Sequence, residues 1–134
     1  MQKGRKKILI LDDDYSLLDA LSTVFESENF STITLSQLEE IDIEHDICLL
    51  NPDVILLDIN FGKHDGMVIC KKLKNNPLTS HFKVILMSAG DYEGRIADCQ
   101  YDDYIQKPFN IRTLLDKVST PLKLIPNYRG NISA

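Results

Sequence analysis

Three unbroken apolar runs constrain this chain more than anything else in it. Ile8-Leu9-Ile10-Leu11 stops at Asp12, Val54-Ile55-Leu56-Leu57 stops at Asp58, and Val84-Ile85-Leu86-Met87 stops at Ser88. Each run is too short for a buried helix and shows no apolar–polar alternation. A strand of that kind is buried on both faces, which means a parallel sheet with helices above and below. With two weaker segments, strands are expected at 8–11, 32–35, 53–57, 82–87 and 104–106.

The stretches between them carry helical spacing. Leu17, Leu18, Leu21, Val24 and Phe25 follow Asp14 and Ser16, either of which can act as N-cap. Ser36 is read as the cap of a second helix over 37–50, where Ile41, Ile43 and Ile47 mix with acids. A third helix spans 67–74, with Val68, Ile69, Cys70 and Leu73 facing inward. A short fourth is expected over 92–99. Asn110 caps a last one with Ile111, Leu114, Leu115 and Val118 inward, and Pro121 ends it. Strand and helix alternate five times, the pattern of an α/β, doubly wound parallel sheet with about five helices.

Composition limits the function classes. The 134 residues make one domain, with no room for a second of any size. A net charge of −5 argues against a nucleic-acid surface, which needs clustered Lys and Arg. The one basic run, Lys3 to Lys7, reads as a solubilising flank, so residues 1–6 are set apart from the domain. Cys48, Cys70 and Cys99 form no C-x-x-C pair, which fits small core hydrophobes in a reducing, cytoplasmic compartment better than a zinc site. No stretch is apolar for long enough to suggest a membrane span.

In open α/β sheets the site lies outside the C-terminal ends of the strands. There the sequence puts Asp12 and Asp13, then Asp58, Ser88 and Lys107. Three carboxylates repel one another, and a hard divalent cation relieves that. Asp58 would then be free to attack phosphorus and form an aspartyl-phosphate. The equatorial oxygens would be covered by the cation, the Lys107 ammonium and the Ser88 hydroxyl.

Together, Ile8 to Asp14, Pro52 to Asp58, Asp65-Gly66, Val84 to Ala89 and Asp103 to Phe109 resemble the receiver domain of two-component response regulators. The resemblance covers roughly residues 7–120. It implies a flavodoxin-like sheet of strand order 2-1-3-4-5 and a phosphoacceptor at Asp58. It also implies Mg²⁺ (or Mn²⁺) bound by Asp13 directly, by Asp12 largely through water, by Asp58 and by the backbone carbonyl of Asn60. Ser88 would be the switch hydroxyl, Lys107 the pairing cation, Tyr104 the switch aromatic, and Lys107-Pro108 a cis peptide bond. The donor would be a phosphohistidine on a sensor histidine kinase or a phosphotransfer protein. The domain would be no enzyme beyond its own Mg²⁺-dependent phosphorylation and dephosphorylation. Its output would be a downstream protein, with a phosphorylation-dependent homodimer also compatible, and neither nucleic acid nor membrane would be a partner.

The chain departs from the family pattern in places. Gly62 and Lys83 stand where proline is frequent, and Gln100-Tyr101 where Gly-Ala is preferred. The segment from Ser88 to Lys107 is short, so the fourth helix should be short or irregular. The tail, 121–134, has no family counterpart. His64 lies near the acceptor and reads as a solvated loop histidine. Two competing readings remain. Asp12-Asp13-Asp14-Tyr15-Ser16 matches the nucleophile motif of haloacid-dehalogenase-like phosphatases, with Asp12 attacking, but the order of the other motifs fails. An interaction module that keeps the fold without the chemistry is the other.

Overall fold

The computed structural model describes residues 4–38, 42–90 and 99–121. In chain order the elements are β1 (Lys7–Leu11), α1 (Tyr15–Ser27), β2 (Ser31–Leu35), α2 (Ile43–Leu50) and β3 (Val54–Asp58). They continue with β4 (Asn60–Phe61), β5 (His64–Asp65), α3 (Gly66–Asn75), β6 (Lys83–Ser88), β7 (Asp103–Gln106) and α4 (Ile111–Ser119). Five strands form one sheet in the order β2-β1-β3-β6-β7, and every pairing in it is parallel. Counted without the small β4–β5 hairpin, that is the expected order 2-1-3-4-5.

The apolar runs are buried on both faces because their side chains alternate between two cores. From β1, Leu9 and Leu11 enter a cluster with Ile47, Ile69 and Leu73 of α2 and α3. Ile8 and Ile10 enter another with Leu21, Phe25 and Leu114 of α1 and α4. Pairing aligns the strand ends, with Leu11 opposite Leu57, Asp58 opposite Met87, and Ser88 opposite Gln106. The polar residues that close the runs therefore meet at one edge.

Some expectations give way. α2 begins at Ile43 and is capped by Asp42, which accepts the His45 amide at 3.0 Å. Ser36 instead contacts the Tyr15 hydroxyl. Asp42 is followed by Glu44 and Asp46 in the first turn, and both acids suit the positive end of a helix. Val68 and Ile111 are exposed rather than inward. The inward stripe of α3 is Ile69, Cys70 and Leu73, and Ile111 lies one turn before the stripe of Leu114, Leu115 and Val118. Four helices occur among the described residues. The helix expected over 92–99 falls outside them except at Cys99, as does the tail beyond Pro121.

Lys83 is buried, and its ammonium donates to the carbonyls of Lys117 and Thr120 at the end of α4. Burial pushes its pKa down. Where proline would only stiffen the chain, this lysine ties β6 to the C-terminal carbonyls of α4. Among the described residues, no helix is long and apolar enough to cross a membrane.

Candidate functional site

The edge formed by the ends of β1, β3, β6 and β7 holds the charged residues expected there. Asp12 follows β1 and is fully buried; its Oδ1 accepts the Asp14 amide at 2.9 Å, which turns the chain toward α1. Asp13 is exposed beside it. Asp58 ends β3 and is only 5% exposed. Ligand oxygens of Asp12, Asp13 and Asp58 lie within 4.8 Å of one another. Lys107 reaches back from the end of β7, with Nζ 2.7 Å from Asp12 Oδ2 and 3.5 Å from Asp58 Oδ2.

Two of the three acids, Asp12 and Asp58, share one ammonium, and the electrostatics reflect it. Burial, with Asp12 adding to it, pushes the pKa of Asp58 up to about 6, against the smaller opposing pull of Lys107 and the Asn60 amide. Burial by itself would lower the pKa of Lys107, but its bond to Asp12 and the charges of Asp12 and Asp58 outweigh that and raise it. The donor set is all oxygen, one acid opens to solvent, and the cluster carries excess negative charge. These are the features that suit a hard cation such as Mg²⁺ or Ca²⁺.

The remaining predicted residues join through the backbone. Asn60 N–H donates to Asp58 Oδ1 at 3.2 Å. The Lys107 amide donates to the Ser88 carbonyl at 2.7 Å, and Lys107-Pro108 is a cis peptide bond. The Ser88 hydroxyl, fully buried, accepts the Gly90 amide at 3.0 Å. Tyr104 is half-buried and its hydroxyl donates to the Gly90 carbonyl at 2.7 Å. One residue thus bonds both the hydroxyl of Ser88 and the phenol of Tyr104.

Sequence reasoning gave Gly66 no task, yet it packs directly against the Asp58 backbone. Its amide donates to the Ile59 carbonyl at 2.7 Å. A Cβ on Gly66 would lie 2.3 Å from the Asp58 carbonyl oxygen and 2.7 Å from Ile59 Cα, so only glycine lets α3 start this close to Asp58. The available signal was a glycine directly after an N-cap acid, Asp65.

The sequence profile of the response regulator receiver domain matches residues 8–119. The chain belongs to that family. The receiver match takes in Asp12, Asp13, Asp58, Ser88 and Lys107. The nisin biosynthesis regulatory protein NisR of Lactococcus lactis subsp. lactis is 36% identical over 121 residues, which are 87% of this chain and 50% of that protein. The alkaline phosphatase synthesis regulator PhoP of Bacillus subtilis is 32% identical over 121 residues, 88% of this chain and 49% of that one. The chain spans about half the length of the curated relatives it matches. Among solved structures, the BeF3-activated N-terminal receiver domain of Klebsiella pneumoniae RstA superposes with a TM-score of 0.76 at 21% identity, covering 89% of this chain and all of that one. The signal receiver domain of a DNA-binding response regulator from Colwellia psychrerythraea gives 0.73 at 26% identity, covering 84% of this chain and 94% of that one. The family shown is that of receiver domains, not of haloacid-dehalogenase-like phosphatases. Asp14, the third acid of the phosphatase-like motif, is the N-cap of α1 and accepts the amides of Ser16 and Leu17.

Proposed function

We propose that this receiver domain takes a phosphoryl group onto Asp58 from a phosphohistidine of a sensor histidine kinase or a phosphotransfer protein. An Asp58 oxygen forms the bond to phosphorus, the bond from phosphorus to the donor imidazole nitrogen breaks, and the imidazole leaves with a proton. Attack by water on the same phosphorus later releases inorganic phosphate and restores the carboxylate. The observation that carries this reading is a buried carboxylate with oxygens of two further acids within 4.8 Å and the ammonium of one lysine at 3.5 Å.

Mg²⁺ (or Mn²⁺) would be held by Asp12, Asp13, Asp58 and the Asn60 backbone carbonyl, and would supply neutralisation of charge on the phosphoryl oxygens. Lys107 takes a phosphoryl oxygen as a second cation, exchanging part of its bond to Asp12. Phosphorylation adds about −1.5 to −2 of charge. The Ser88 hydroxyl then turns from the Gly90 amide to donate to the phosphoryl group. Gly90 and the Tyr104 phenol bound to it respond, and the domain shifts population toward a state with different partner preference. The chain acts on no other substrate. The output is an unidentified downstream protein or a second copy of the domain. We assign neither DNA nor membrane to this surface, although relatives such as RpaA are named as DNA-binding. A kinase-fed receiver of this kind works in the cytoplasm.

The test is incubation of wild type and Asp58→Asn with a small acyl phosphate and Mg²⁺, followed by intact-mass and peptide analysis. We expect one phosphoryl group on wild type, mapped to Asp58, and none on the variant. Absence of label from both would leave the fold as an interaction module and sink the proposal.

A further inference from the structure

We infer that His64 is a positioning residue for the metal-binding loop, latching the β4–β5 hairpin so that the Asn60 backbone stays beside the acids. The inference rests on the reading of Asp58 as a Mg²⁺-dependent acceptor.

His64 is not a solvated loop residue. It is half-buried, and its Nε2–H donates to the Leu38 carbonyl at 3.3 Å. Its ring sits beside Phe61 at a tilt, with centroids 5.9 Å apart and planes 33° apart. Phe61 and His64 are cross-strand partners in the hairpin, and Asn60 pairs with Asp65. Phe61 is buried in the α2–α3 core. Asn60 is thus one residue from a core anchor that pairs with His64 across the hairpin.

The hairpin needs such a restraint because of its turn. Gly62 sits at φ +58°, a conformation glycine adopts freely, and it stands where the family often has proline. Glycine leaves the free loop more conformations to lose than proline would. On one side the hairpin is fixed by Asp65, which caps α3, and by the Gly66–Ile59 bond. On the other side a cavity of about 520 Å³ separates it from the segment after β2, with Asp13 and Ser36 in the wall. The His64–Leu38 bond joins the hairpin to that segment. Its loss frees the hairpin to drift into the cavity, and Asn60 goes with it. The metal then has to order the loop at the moment it binds, which lowers affinity but leaves the geometry at saturation unchanged.

The test is calorimetric titration of Mg²⁺ into the whole unphosphorylated chain, for wild type and for His64→Ala, His64→Gln and His64→Phe. Rates of phosphorylation from a small acyl phosphate are measured at limiting and at saturating Mg²⁺. His64→Ala should weaken Mg²⁺ binding about threefold to tenfold, the scale of one net hydrogen bond. His64→Gln, which can present an N–H at a similar reach, should recover most of the affinity. His64→Phe, which keeps the ring but not the donor, should resemble His64→Ala. All should phosphorylate like wild type once Mg²⁺ saturates. Unchanged affinity in His64→Ala, or His64→Gln as weak as His64→Ala, overturns the latch while leaving the acceptor reading intact. Failure of wild type to bind Mg²⁺ overturns both.

Discussion

Replacing Asp58 with Asn removes a charge that the folded domain tolerates poorly when no cation is bound. In the unfolded chain this carboxyl ionises near 3.8; in the fold, burial and Asp12 push it up to about 6. Between those values the folded state holds more protons than the unfolded one, so its stability falls as pH rises through that window and is level above it. At about 1.4 kcal/mol per pH unit, the whole window corresponds to about 3 kcal/mol. Water reaching the site through exposed Asp13 screens part of this, so about 1–2 kcal/mol is the expected gain for Asp58→Asn. The assay is urea unfolding of both proteins with a chelator present, from pH 4 to pH 8. The gain should be near zero at pH 4, grow to pH 6 and hold from there. Mg²⁺ at pH 8 should narrow the gap, because it stabilises the folded wild type by mass action. A variant less stable than wild type at pH 8 in chelator, or a gain independent of pH, would refute the electrostatic reasoning.

Gly66→Ala should destabilise the fold by about 1–3 kcal/mol in urea, since the 2.3 Å approach to the Asp58 carbonyl leaves no room for Cβ. It should also slow phosphorylation by displacing the acceptor. Lys107→Met leaves Asp12 buried without its ammonium, at a cost of about 2 kcal/mol in chelator, and Mg²⁺ should restore more stability to this variant than to wild type. Ser88→Ala and Tyr104→Phe each remove one of the bonds meeting at Gly90. Both should still take up phosphate while losing the phosphorylation-dependent shift of backbone NMR signals around Gly90 and β7; loss of phosphorylation in both would contradict the scheme. The aspartyl-phosphate should hydrolyse fairly quickly in Mg²⁺, since Ala89 and Gly90 beside Ser88 carry no bulky side chain to bar water, and a phosphorylated form that persists for days would contradict that.

The parts of this fold that were legible in the sequence are those where a residue type is costly anywhere but its actual place. An acid closing Val54 to Leu57 has to be paired or solvated, and four strand ends with such residues point to one edge. The strand order follows from the family resemblance, and the cis bond before Pro108 belongs to the same set of motifs. α2 misled because Ser36 and Asp42 are both good caps, and tertiary contact decides between them. Ile43 and Ile47 reach the core from a helix begun at Asp42, and Gln37 and Leu38 after Ser36 are left to line a cavity. Val68 and Ile111 misled because an apolar residue next to an inward stripe resembles a member of it.

What the sequence hid is carried by backbone atoms. The Gly90 amide and carbonyl join Ser88 to Tyr104, the Gly66 amide holds Ile59, and the Leu38 carbonyl receives His64. Backbone groups are the same at every position, so apart from the glycine that follows the N-cap acid Asp65 no residue type announces such a link; only the fold brings the two ends together. That division has a functional side. Side chains at the strand ends bind charge, and their identities are restricted by chemistry. Backbone links set how firmly those side chains are held and how a change at one is felt by the next. Glycine at 62, 66 and 90 marks three places where the chain around this site bends, approaches or bonds through its backbone. Tuning of the switch can therefore act on the residues that hold these segments in place, His64 among them, without touching a charged group of the site.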